Sequence, residues 1–443
     1  MTHRPKPAGR PRGPLAGRPA WLALAAVCAL GLALAFAQGQ AREPARPGPP
    51  AASSGDPACQ SPTVREPCSS VTVGGRTWRY ALLRAGAPTA RTALVDIGGP
   101  GEAVLSGRNG LGGLRAAHPS LAGRYNLLFV EEPWVTRAPP AGCQDALGAF
   151  YRAVRGAQGT AAARGAAVAR RCSVGAEPRR WGFDPVTFGP VVAAIERREG
   201  VAVSGFVGLS FASVRWSYLA ARPLDWSVLL RPFPLGARGR ELVAARAQAT
   251  AALTDAIASG RPAPGAAAAS GGPTRSLPVT RFDRLSALIG LAYLDRAELD
   301  RLAPGVVSGS DRATIGELSD QLWLRYGEDH ISPAYLAYLD EVCAAAGSWP
   351  APRSRVWTVA DVLAAAHLPC RAVASRPLSR SATGRLCLVT SPADAVTPEA
   401  LTRRSFPASV AWVRSADRSH SSFDGLDACL KRVGALTPVP STG

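Results

Sequence analysis

Seven short apolar runs recur along the 443-residue chain: Thr77–Leu83, Thr92–Ile97, Asn126–Glu131, Gly205–Gly208, Ser227–Arg231, Leu386–Thr390 and Ser409–Arg414. They lack the polar alternation of a half-exposed strand, so they read as strands buried on both faces, paired in parallel and covered by helices. Helical patterns lie between them, among them Asp145–Val154, Phe188–Arg198, Phe211–Ala221 and Gly425–Val433. This order predicts an α/β, doubly wound fold on a mostly parallel central sheet. The rhythm breaks at residues 237–380, which are mostly helical and contain an Ala/Pro/Gly-rich loop, Gly260–Gly272. That interval has the size of an inserted helical cap. It splits the core into residues 58–236 and 381–436, followed by a tail at 437–443.

The N-terminus reads as an export signal. Arg4, Lys6, Arg10, Arg12 and Arg18 precede an uncharged run, Trp21–Ala37, which ends in small residues. Residues 1–37 are expected to be removed as a signal peptide. The run is also at the short limit for spanning a bilayer, so an uncleaved N-terminal anchor stays open, with the rest of the chain facing outside. Residues 38–57, rich in Pro, Ala, Gly and Ser, read as a flexible linker. Export makes the eight remaining cysteines disulfide candidates. Sequence proximity favours Cys59 with Cys68, Cys143 with Cys172, Cys343 with Cys370, and Cys387 with Cys429. There is no C-x-x-C pair and the five histidines are scattered, so neither a metal site nor another cofactor is expected. The net charge of +19 comes almost wholly from arginine, since only Lys6 and Lys431 are lysines. The arginines are dispersed without a basic helix or interleaved aromatics, which argues against nucleic-acid binding. Membrane contact is expected only through an uncleaved N-terminus, and the oligomeric state is not legible.

Four local features carry chemistry. Gly208-Leu209-Ser210-Phe211-Ala212 follows a strand-like run and opens a helix. A serine on such a turn stands clear of the sheet with its hydroxyl exposed; the plainer reading is a serine N-cap. Gly98-Gly99-Pro100-Gly101 follows the run at 92–97. Its backbone N–H groups, with that of Phe211, suit an oxyanion; otherwise it is a tight turn. Asp394 lies just past the run at 386–390 and suits a partner for histidine, or a turn aspartate. His420 follows the last run and is the only histidine after Asp394; alone, it reads equally as a surface residue. The order Ser210, Asp394, His420, each at a strand end, is that of the α/β-hydrolase triad.

These segments, with Cys429 after His420, resemble the secreted actinobacterial α/β-hydrolases related to prolyl and tripeptidyl aminopeptidases, over about Thr77 to Leu436. The resemblance implies an α/β-hydrolase core with a helical cap after the sixth core strand. It implies Ser210 as nucleophile, His420 as base, Asp394 as its partner, and Gly99 and Phe211 as oxyanion donors. Three positions depart from the family pattern. Ile97 stands where a histidine is usual, Ala212 where glycine is usual, and Val130-Glu131-Glu132-Pro133-Trp134-Val135-Thr136 where the family has Asp-x-Arg-Gly-x-Gly. Carboxylates usually hold the free amino group in such enzymes. Glu131, Glu132, Glu298, Glu317, Glu328 and Glu341 are candidates, each otherwise read as a solvated surface acid. The substrate-binding residues are left unassigned.

The expectation is therefore an exported serine hydrolase that acts on short substrates through an acyl-enzyme, a peptidase before an esterase. The alternative from another class is a degenerate hydrolase-fold binding protein, motivated by Ala212 and the altered segment at 131–136.

Overall fold

The computed structural model describes Cys59 and residues 68–87, 90–105, 111–156, 159–259, 278–325, 330–353, 356–376, 378 and 384–436. The expected signal at 1–37, the linker at 38–57, the loop Gly260–Gly272, Glu328, Arg380 and the tail at 437–443 lie outside the described residues.

The described strands form one eight-stranded sheet: β1 (Ser69–Val73), β2 (Arg76–Leu83), β3 (Arg91–Asp96), β4 (Tyr125–Val130), β5 (Val203–Leu209), β6 (Trp226–Leu230), β7 (Arg385–Thr390) and β8 (Ala411–Arg414). Their spatial order is β1-β2-β4-β3-β5-β6-β7-β8. From β4 to β8 every pairing is parallel, and β2 runs antiparallel to both its neighbours. The central strands are buried on both faces, β4 (Tyr-Asn-Leu-Leu-Phe-Val) and β6 (Trp-Ser-Val-Leu-Leu) along their whole length.

Three expectations need correction. The run at 77–83 is apolar yet antiparallel, because β2 leaves a hairpin with β1. The hairpin turns through Gly74 and Gly75, both at positive φ (59° and 72°), the geometry of a tight two-residue turn. The run at 409–414 is not buried on both faces. It shortens to β8 at the sheet edge, where its side chains are only partly covered. The helix expected at Phe211–Ala221 is also shorter, Ala212–Ser217, and passes into turns ahead of Pro223.

Between β6 and β7 lie the helices Gly239–Ser259, Arg281–Gly290, Arg296–Ser308, Arg312–Leu322, Pro333–Ala345 and Val359–Ala366. Their starts are legible in the side chains. Thr280 and Thr358 close capping boxes with Asp283 and Asp361, and Asp295 and Asp311 cap the helices that follow them. The layer they form is shared with helices that precede β5. Trp323 packs against Phe150 and Tyr151 of Ala141–Arg155, and Arg155 pairs with the buried Asp283 at 3.0 Å. One apolar core thus runs from the sheet into the insertion.

Four disulfides join Cys59 to Cys68, Cys143 to Cys172, Cys343 to Cys370 and Cys387 to Cys429, the pairs that sequence proximity favours. The last ties β7 to the helix Leu426–Arg432. Among the described residues no helix is long and apolar enough to cross a membrane.

Candidate active site

Ser210 sits directly past β5 at φ +56°, a left-handed conformation uncommon for a non-glycine residue. The strained turn forces close packing on either side of it. A Cβ at Gly208 would lie 2.8 Å from the Ala212 methyl and 2.5 Å from the Phe206 ring. Glycine at 208 therefore leaves room for the Ala212 methyl. The turn carries the Ser210 hydroxyl into a cavity beneath the inserted helices.

Asp394 and His420 arrive from the loops after β7 and β8. His420 Nε2 lies 2.7 Å from Ser210 Oγ, and its Nδ1 lies 2.9 Å from Asp394 Oδ2. With Asp394 ionised, Nδ1 carries the proton and Nε2 is free to accept from the serine hydroxyl. Both side chains are buried. Burial pushes the Asp394 carboxyl upward. His420 beside it, with Arg231 and Thr397, outweighs this and holds it well below the usual carboxylate range. Asp394 also accepts from the backbone N–H groups of Val396 and Thr397 and from the Thr397 hydroxyl, so its orientation is set on several sides.

The glycine loop follows β3. Gly98 donates to Asp96, and a Cβ on Gly98 would lie 2.0 Å from the Leu209 carbonyl oxygen, so only glycine lets this loop approach the serine turn. Gly99 and Phe211 both line the cavity beside Ser210. Among the described residues neither backbone N–H is given to a protein acceptor.

The altered segment after β4 holds this loop. Glu131 accepts from the N–H groups of Val104 and Leu105, at 2.8 and 3.1 Å. Glu132 accepts from the Gly101 N–H and the Trp134 indole. Glu132 is also paired with Arg215, which bonds Asp96 and Glu341 as well, both at about 3 Å. The surface reading is thus wrong for Glu131, Glu132 and Glu341, which are enclosed, and for Glu298, also buried. Their partners supply the reason, since each of the first three accepts hydrogen bonds deep in the protein. Neither Glu131, Glu132, Glu298, Glu317 nor Glu341 lines the cavity.

The sequence reading missed three residues. Glu102 lies in the cavity wall beside Gly99, and burial pushes its carboxyl up to about 7, against the pull of Arg215. Its signal was its place three residues past Gly99. Arg231, buried just after β6, donates to Ser415 and to the carbonyls of Asp417 and Ser422, and so frames the His420 loop. Arg246, on the helix Gly239–Ser259, lines the cavity from the insertion side; no local pattern marks it. The cavity, of about 200 Å³, is otherwise mostly apolar, with Leu209, Phe233, Leu318 and Val342 among its walls. Among the described residues no group of His, Cys, Asp and Glu side chains is placed to hold a metal ion.

No family model matches the chain, and no curated protein matches it. Distantly similar solved structures include an enol-lactonase from Burkholderia xenovorans, at 12% identity over 83% of this chain and 99% of that one, TM-score 0.36. A proline iminopeptidase-related protein from Thermus thermophilus is 13% identical over 84% and 98% of the two chains, TM-score 0.38. An alpha/beta hydrolase fold protein from Burkholderia ambifaria is 13% identical over 84% and 98%, TM-score 0.35. A sheet ordered β1-β2-β4-β3-β5-β6-β7-β8 with only β2 reversed between its neighbours, and with Ser210, Asp394 and His420 after β5, β7 and β8, is the arrangement of the α/β-hydrolase fold, and the chain has that fold.

Proposed function

We propose that the protein is an exported serine hydrolase that acts on short substrates through an acyl-enzyme. The observation that carries this reading is the continuous hydrogen-bonded series Ser210–His420–Asp394 opening on an apolar cavity. Ser210 Oγ attacks the acyl carbon as His420 Nε2 takes its proton. The backbone N–H groups of Gly99 and Phe211 hold the oxyanion. His420 then protonates the leaving group, Asp394 stabilises the imidazolium, and water releases the acyl chain by the same steps. Ser210, His420 and Asp394 are the catalytic residues in this reading.

A peptide amide is the first choice of substrate, and Glu102 supports it. It is the carboxylate of the cavity wall next to the glycine loop, where the free amino group of a short peptide would find a partner. An ester is the second choice, supported by the mostly apolar walls. The retained series from Ser210 to Asp394 weighs against a degenerate binding protein.

The test is labelling by a fluorophosphonate probe. Wild-type protein is expected to be labelled and Ser210→Ala not. Folded, disulfide-bonded wild type that resists the probe, and cleaves neither peptide anilides nor simple esters, would overturn the proposal.

A further inference from the structure

Arg246 projects from the insertion into the cavity that holds Ser210 and His420. Arg246 is half-buried and lines the cavity together with Tyr293, Tyr338 and His367. Its partners are two tyrosines. It donates to the Tyr293 hydroxyl at 3.3 Å and to that of Tyr338. Its Nε–H is buried without an acceptor, and among the described residues no carboxylate pairs with it.

The neighbouring groups are locked so that none of them supplies the missing negative charge. His367 Nδ1 lies 2.7 Å from the Leu363 carbonyl, which can only accept, so Nδ1 bears the proton. His367 Nε2, 2.7 Å from the Tyr338 hydroxyl, must then accept from it. The Tyr338 proton is committed to His367, and its oxygen is left to receive Arg246. The His367 ring lies flat on Trp349, at 3.8 Å between centroids. Burial, with Arg246 nearby, pushes its pKa down to about 3, so it stays neutral and adds no competing charge. Tyr293 meets the edge of the His420 ring at 5.6 Å, so a single tyrosine ring separates the guanidinium from the base.

A half-buried cation whose hydrogen-bond partners are neutral suits an anion that enters the same cavity. A planar, two-oxygen anion matches the guanidinium fork. We propose that Arg246, positioned by Tyr338 and assisted by the Tyr293 hydroxyl, binds a carboxylate carried by the substrate. That carboxylate is the C-terminus of a short peptide if the substrate is a peptide, and the far end of a dicarboxylic half-ester if it is an ester. The inference rests on the hydrolase reading for the word substrate, but the site itself is testable without turnover.

The experiment uses Ser210→Ala protein and calorimetric titration with two matched pairs: Leu-Leu against its C-terminal amide, and monomethyl against dimethyl glutarate. In at least one pair the acid is expected to bind at least about tenfold more tightly than its neutral partner, the range of a charge-assisted hydrogen bond. The pair that shows it identifies the source of the carboxylate. Adding Arg246→Gln is expected to bring acid and neutral forms within about threefold. Arg246→Lys, which keeps the charge but not the fork, is expected to retain part of the preference and serves if the glutamine variant does not fold. Equal binding of acid and neutral forms, no binding of either pair, or a preference that survives Arg246→Gln would overturn the proposal. Failure of probe labelling at Ser210 with the acid preference intact would instead overturn the hydrolase reading and leave the carboxylate site standing.

Discussion

Single side chains here do work that their sequence neighbourhood does not announce, and Glu102 is one with a measurable consequence. Burial raises its carboxyl to about 7, so it is mostly protonated below that pH and ionised above it. Only the ionised form attracts an ammonium group. A substrate's free α-amino group keeps its proton up to about pH 8. For amino-acid anilides with a free amino group, kcat/KM relative to the N-acetylated counterpart is expected to rise through about pH 7 and to decline as the amine deprotonates. Glu102→Gln should flatten that ratio across the range. A ratio that keeps its pH dependence in the variant would remove Glu102 from substrate binding.

At the scale of elements, the hydrogen-bonded series Ser210–His420–Asp394 depends on three strand ends staying in register. β7 delivers Asp394, and the helix Leu426–Arg432 follows the loop that delivers His420; Cys387 and Cys429 join them across a sequence separation of 42. Closing a loop of that size removes on the order of 4 kcal/mol of unfolded-chain entropy. It also pins the two loops whose side chains meet at 2.9 Å. The double substitution Cys387→Ser, Cys429→Ser is expected to lower stability by up to about that amount and to lose activity at a denaturant concentration below that of global unfolding. Activity and fold lost together would show that the bridge only stabilises. The elements themselves were mostly legible in the sequence. Each apolar run overlaps an observed strand, because buried strands must be apolar over several consecutive residues. β1 was not legible, since Ser-Ser-Val-Thr-Val is half polar; its signal was the Gly74-Gly75 turn that follows.

Over the whole molecule, Arg215 is the link between sheet, serine turn and insertion. It lies on the helix after Ser210 and bonds Asp96 at the end of β3, Glu132 past β4 and Glu341 on the inserted helix Pro333–Ala345. Burial lowers the affinity of such a guanidinium for its proton, but three carboxylates outweigh this and raise its pKa well above the ordinary value. Burial likewise raises Glu132, partly offset by Arg215. Replacing Arg215 with methionine would leave three enclosed acids without their cation. Removing one partner of a buried ion pair costs about 3–5 kcal/mol, and Arg215→Met is expected to lose at least that in equilibrium denaturation. A loss under about 1 kcal/mol would mean that the acids take up protons at little cost and that Arg215 is not what joins the layers.

What the sequence by itself determined is local. Apolar runs imply buried strands, small residues around Ser210 and after β3 imply sharp turns, and cysteines close in sequence pair because short loops close easily. Each of these is a preference of a few neighbouring residues. What only the tertiary structure decided is which distant charges meet. Glu131 and Glu132 read as surface acids because acids usually are. They are buried because Arg215, 83 residues beyond Glu132, and the N–H groups of the loop at 101–105 receive them. Arg246 carries no local mark, and its place beside Tyr293, Tyr338 and the cavity comes from how the inserted helices pack. Electrostatic partnership acts through space, so it is set by the fold and not by the order of residues along the chain.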